Sequence, residues 1–148
     1  MKRKRFGDRS YILKGMSVQR ERIARLMMGS FEKLDSYIEE HTGRVCPHCR
    51  KICCANRHGT PEEEDSTFYR VLGMEAKTET AEGPPDAACS LLGSAGCVLP
   101  RWQRPFRCTW YFCLPLLESM RLDGGRPYRA FVSELARLVG LRNELIKK

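Results

Sequence analysis

The chain has 148 residues, 42% hydrophobic and 30% charged, which suits one domain, 1–148, with a modest core and excludes a disordered composition. Its formal charge of +8 suits a nucleic acid or an acidic membrane surface, yet much of the excess lies in Met1–Arg5, where a solvated tail explains it. No stretch approaches the roughly 18 continuous apolar residues of a membrane span, so no membrane partner is expected.

Met1–Arg5 imitates the basic start of a secretory signal, but Asp8, Arg9, Lys14, Arg20 and Glu21 interrupt any apolar run behind it. The expected compartment is therefore the reducing cytoplasm. A first helix is predicted from about Ser17 to His41, because Ile23, Leu26, Met27, Phe31, Leu34 and Ile38 recur at the spacing of one helix face. Gly43 supplies a left-handed stop, closing an N-terminal unit of basic tail and helix over 1–43. His41 reads as a helix-end residue placed at the negative end of the dipole.

A second helix is predicted to open at Thr60 and Pro61, with Glu62, Glu63 and Glu64 at its positive end, and to stop at Gly73. The polar, turn-rich run from Ala76 to Pro85 reads as a mobile loop. Short strands fit only at Cys97–Leu99 or Trp110–Phe112, and Asp123-Gly124-Gly125 marks a turn. The last helix, within 127–148, starts near Pro127 and carries Tyr128, Phe131, Val132, Leu135, Leu138, Val139 and Ile146 on one side. The fold class that follows is mainly α: a small, irregular, metal-stabilised domain with cysteine-rich loops among about three amphipathic helices and little or no sheet.

All eight cysteines fall between Cys46 and Cys113, and both flanks have none. In a reducing compartment such clustering points to metal binding or redox work rather than to stable disulfides. The first group is Cys46, Cys49, Cys53 and Cys54. A two-residue gap lets Cys46 and Cys49 chelate one ion through a tight turn that Pro47 pre-sets. If the next residues are helical, Cys49 and Cys53 share a face and Cys54 is rotated away from them. One ion cannot use all four of these sulfurs without strain, so ligands from the second group, Cys89, Cys97, Cys108 and Cys113, are expected to join them. The gaps of that second group match neither a zinc ribbon nor a bacterial ferredoxin run. His58, four residues after Cys54, is a further candidate ligand, whereas His48 is expected to point outward.

Arg44, Arg50, Lys51, Arg57, Arg101, Arg104 and Arg107 lie beside the cysteines in sequence, where they would offset thiolate charge and favour the ligating form. Phe106, Trp110, Tyr111 and Phe112 crowd around Cys108 and Cys113 and read first as a small core beside the metal site.

Cys46-x2-Cys49-x3-Cys53-Cys54, followed by Gly96-Cys97, Arg104-Pro105 and Cys108, resembles the YkgJ-type cysteine-cluster family of zinc- or iron-chelating proteins. The resemblance spans about residues 44–115 and every cysteine, but the family's core is C-x2-C-x2-C-C, and here Arg50, Lys51 and Ile52 lengthen the second gap. It implies chelation of zinc or of an iron–sulfur cluster, with the metal ion as the partner. The cluster also looks related to that of a flagellin lysine methylase, which implies an iron–sulfur enzyme as an alternative. No Gly-rich nucleotide loop, HExxH or GxSxG is present, so the chain leans away from enzymes. A zinc-stabilised nucleic-acid binder, prompted by Arg101, Trp102, Arg104 and Arg107, is the remaining and less favoured alternative.

Overall fold

The computed structural model describes residues 9–51, 53–74 and 81–147, so the basic tail Met1–Arg5 and residues 76–80 of the expected loop lie outside the described residues. The chain is mainly helical. α1 covers Arg9–Val45, α2 Glu63–Val71, α3 Arg107–Trp110, α4 Leu114–Asp123 and α5 Gly125–Ile146. Single 3-10 turns occupy Cys46–His48, Asn56–His58 and Arg101–Gln103. The two strands, β1 (Leu92–Gly93) and β2 (Gly96–Cys97), form an antiparallel hairpin with Leu92 opposite Cys97 and Gly93 opposite Gly96. Gly96 enters it at φ +110°, a backbone region open to glycine and unfavourable for other residues. Among the described residues, no helix is long and apolar enough to cross a membrane.

The helical frame is α1, α4 and α5. Ile23, Met27, Phe31, Leu34 and Ile38 are buried as their spacing requires, although Leu26 remains exposed. α1 runs past Gly43 to Val45, because Gly43 does not adopt the positive φ of a helix stop. The α-helical pattern ends instead where Pro47, which has no N–H to donate, falls in the following 3-10 turn. His41 is consequently inside α1 and fully buried, with Nδ1 2.8 Å from Ser119 Oγ of α4. Its Nε2 lies 3.1 Å from Asp123 Oδ2, within ion-pair distance but out of hydrogen-bonding alignment.

The sequence pattern contains no clear trace of α4. Leu116 and Met120 are buried, but Leu114 and Leu122 are exposed, so its apolar residues surround the helix and mark no single face. Trp110, expected in a strand, lies in the one-turn α3, and Cys97 pairs back toward Leu92 rather than forward to Leu99. Gly124 and Gly125, at φ +50° and +60°, make the reversal between α4 and α5 at the expected turn.

α5 faces α1 through a narrower seam than its composition suggests. Phe131, Leu138 and Leu145, each seven residues apart, are buried, whereas Val132 and Val139 are exposed. A seven-residue repeat drifts only about 20° around a helix, so those three stay in line with α1 and their valine neighbours turn outward. Ser30 Oγ donates to Glu134 Oε1 at 2.6 Å, Arg20 Nη2 donates to the Leu145 carbonyl at 3.1 Å, and Tyr37 stacks on Phe131 with ring centres 4.7 Å apart. Leu138→Ala is expected to lower unfolding stability by about 2–5 kcal/mol, the range for emptying a buried leucine site. Val139→Ala should change it by less than about 1 kcal/mol, because its side chain already meets water. Urea titration of both variants checks the register, and equal losses would contradict it.

α2 opens two residues later than its Thr60-Pro61 signal. Glu62 is the N-cap, and its backbone N–H donates to Asp65 Oδ2 at 2.9 Å. Asp65 is buried, and its Oδ1 also accepts from the Phe106 N–H at 3.2 Å, tying α2 to the chain that enters α3. Burial raises its carboxyl pKa, against the lowering effect of those two N–H groups and Arg142.

Candidate metal centre

The cysteine region folds against one end of this frame. Cys46 leaves α1, Pro47 starts a 3-10 turn, and the Cys49 N–H returns to the Cys46 carbonyl at 3.1 Å, which is the tight turn the two-residue gap anticipates. The residues from Cys49 to Cys54 are not helical in their described part, so no shared helix face aligns Cys49 with Cys53. The chain then becomes extended. The Cys89 N–H donates to the Cys54 carbonyl at 2.8 Å and the Asn56 N–H to the Ala87 carbonyl at 3.0 Å, flanking an antiparallel bridge between Ala55 and Ala88. This bridge brings the first cysteine group beside the second.

Asn56 holds the bridge in place and is a residue that sequence reasoning passed over. It is buried, its Nδ2 donates to the Pro84 carbonyl at 2.9 Å, and its Oδ1 accepts from the Ser90 N–H at 2.8 Å. Residues 81–85 of the expected mobile loop are thus hydrogen-bonded, with the Ala81 N–H also reaching the Gly59 carbonyl at 3.4 Å. An asparagine among cysteines and arginines carries no sequence signal of burial, since its role depends on carbonyls and N–H groups about 30 residues away.

All eight cysteines are free thiols, with Cys46, Cys53 and Cys54 exposed and the other five half-buried. Their mutual influence shows in their acidities. Cys53 is pushed up to about 11, by burial first and then by Cys54 and Cys113. Cys46 is raised by burial and then by Cys53, Cys49 and Cys113. Cys54 is raised by burial and then by Cys46, Cys89 and Cys97. Cys108 reaches about 12 through burial, Cys54 and Cys97, with Arg104 opposing and Cys89 adding to the rise. These four thiols resist ionisation because it would place a poorly solvated charge beside other sulfurs. Among the described residues, no group of three or more His, Cys, Asp or Glu side chains stands at metal-ligating geometry.

The basic shell departs from its expected role. Arg101 is buried and bonded through Nε to Asp35 Oδ1 at 2.8 Å, through Nη2 to Glu39, and through Nη1 to the Cys108 carbonyl at 3.2 Å. Arg104 donates to Glu39 Oε1 at 2.8 Å and to the Leu99 carbonyl at 2.9 Å. Arg44 pairs with Glu40 and Asp123, Arg57 with Asp86, and Arg107 with Glu62. Carboxylates therefore hold most of these cations, and the pKa values of Cys46, Cys53, Cys54 and Cys108 rise where basic neighbours were expected to lower them. Arg101 and Arg104 also face inward.

His58 sits between two guanidinium groups. Arg57 Nε donates to its Nε2 at 3.2 Å, and Arg107 Nη1 lies 3.1 Å from its Nδ1. Burial first, and then these two cations, lower its pKa. Both ring nitrogens thus face cations, an arrangement that suits a neutral imidazole. Its ring stacks on Tyr111 with centres 6.1 Å apart. His48 is exposed, as expected. Tyr111, His58, Cys49, Cys53 and Cys113 line one cleft of about 720 Å³. Of the aromatic group, Phe106 and Phe112 join the core while Trp110 and Tyr111 remain exposed. No protein-family model, curated protein or solved structure matches this chain.

Proposed function

We propose that this protein binds metal through its clustered cysteines, holding zinc or an iron–sulfur cluster between Cys46–Cys54 and Cys89–Cys113 in a reducing compartment such as the cytoplasm. The observation that carries this reading is the bridge at Ala55 and Ala88, with the Cys89 N–H on the Cys54 carbonyl at 2.8 Å, which joins the two cysteine groups without a disulfide. The resemblance to YkgJ-type cysteine clusters supports the same chemistry. Soft thiolates suit both zinc and iron–sulfur clusters.

Burial makes the thiols of Cys46, Cys53, Cys54 and Cys108 costly to ionise, and a bound cation removes that cost by accepting the sulfur charge. The metal would contribute folding energy to a segment that has little core of its own.

Metal analysis and an absorption spectrum of protein purified without oxygen test the proposal. Stoichiometric zinc in a colourless protein, or iron with sulfide and broad visible absorption, is the expected result. Iron whose absorption bleaches reversibly on reduction would bring the lysine-methylase-like alternative forward. A folded, metal-free protein with eight reactive thiols would overturn the reading.

A further inference from the structure

The two cysteine groups of the sequence meet in space. Cys53 and Cys54 are adjacent, and Ala55, extended at φ −108° and ψ 156°, pairs with Ala88 just before the 3-10 turn that starts at Asn56. Cys53 lines a cleft with Cys113, while the Cys54 backbone pairs with Cys89.

Each side then gathers further sulfurs. On the Cys53 side, Cys49 and Cys113 line the same cleft as Cys53, and the 3-10 turn holds Cys46 to Cys49. On the Cys54 side, the Leu92 N–H bonds back to the Cys89 carbonyl at 2.9 Å, and Leu92 pairs with Cys97 across the hairpin. Cys108 and Cys89 meet at one turn. The Cys108 thiol lies 3.9 Å from the His58 carbonyl, and a Cβ at the next residue, Gly59, would stand 3.0 Å from Cys89 Sγ.

We propose that the eight cysteines form two interleaved four-thiolate sites, Cys46/Cys49/Cys53/Cys113 and Cys54/Cys89/Cys97/Cys108, abutting at the Cys53–Cys54 peptide. This rests on the metal-binding reading above and specifies how many ions the chain takes and which sulfurs share each one. Each site draws on both sequence groups: three sulfurs from the first and one from the second, or one from the first and three from the second. Metal in either site therefore pins residues 46–54 to 89–113. Loading one site exchanges four thiol protons for one divalent ion, with the protons released to solvent and no change of oxidation state.

The test uses the full chain, prepared metal-free without oxygen and reloaded with zinc, and counts tightly held ions per chain. Wild type should hold two. Cys53→Ser with Cys113→Ser removes two ligands of one site and should leave one ion, as should Cys89→Ser with Cys108→Ser. Cys53→Ser with Cys54→Ser strikes both sites and should leave neither ion tightly bound. The opposite pattern, with one ion kept by the adjacent pair and both lost from Cys53→Ser with Cys113→Ser, would overturn the partition while leaving metal binding intact.

Failure of wild type to hold any zinc, iron or cluster would instead overturn the underlying reading. Variants can misfold, so wild type also receives a substoichiometric zinc pulse followed by thiol alkylation and mass spectrometry. Protection that rises together within each proposed quartet supports the partition. Protection that follows 46–54 against 89–113, or that links all eight thiols equally, rejects it.

Discussion

Loading the metal-free protein with zinc is expected to slow amide exchange strongly between residues 46 and 113 while changing α1 and α5 little. The difference follows from where the apolar core lies. Ile23 to Ile38 of α1, Leu116 and Met120 of α4, and Phe131, Leu138 and Leu145 of α5 supply most of it. The cysteine region adds Phe68, Tyr69 and Phe106, and its strands among the described residues are two residues long. Thiolate-bound structural zinc carries about 10–16 kcal/mol of apparent binding energy in zinc-finger peptides at pH 7, far above what so little burial supplies. Chelation should therefore open this region before the helical frame unfolds. Hydrogen-exchange mass spectrometry with and without chelator measures this, and identical protection in both states would refute it.

The same titration has a definite pH dependence. In the metal-free fold Cys53 stands at about 11 and Cys108 at about 12, above the ordinary value of 9.0. Neutral thiols therefore favour this fold below about pH 9, and that contribution is lost as pH climbs through 11 to 12. Metal requires the ionised form, so each four-thiolate ion should release about four protons at neutral pH and bind more tightly as pH rises. Calorimetry in buffers of different ionisation enthalpy counts those protons. Release near zero would exclude thiolate ligation.

Asp35→Asn combined with Glu39→Gln is expected to destabilise the protein more than Arg101→Met does. The guanidinium of Arg101 is only 3% exposed, whereas Asp35 and Glu39 are 44% and 35% exposed. Neutralising both carboxylates strands a buried cation, which carries a penalty of about 3–5 kcal/mol. Removing the cation leaves two carboxylates that water reaches, with Glu39 still paired to Arg104 at 2.8 Å. That loss should be about 1–2 kcal/mol, chiefly from the Cys108 carbonyl and lost packing. Denaturant unfolding of the two variants decides the order. The reverse order would mean that Arg101 acts by packing rather than by charge.

The contrast between Arg101 and the cysteines shows how legibility divides along the chain. Arg101, Arg104 and Arg107 read in sequence as partners of nearby thiols, because sequence distance was the only distance available. Asp35 and Glu39, one helical turn apart on α1, hold Arg101 in the fold. Cys49 and Cys53 were similarly related by a helix that does not form, and the hairpin at Leu92–Cys97 puts a strand where only part of one was expected.

By itself, the sequence determined the mainly α class, the positions of α1 and α5, the Gly124-Gly125 reversal, and the confinement of every cysteine between Cys46 and Cys113. These depend on local periodicity, backbone preference and composition, which act over a few residues. Tertiary structure decided what those rules do not reach: helix α4, the narrow Phe131–Leu138–Leu145 seam, the Asn56 clasp and the inward turn of Arg101. It also brought the two cysteine groups side by side, because the pairing of Cys54 with Cys89 depends on residues distant in sequence. The cysteine groups that look separate in the sequence are joined by that one bridge of backbone.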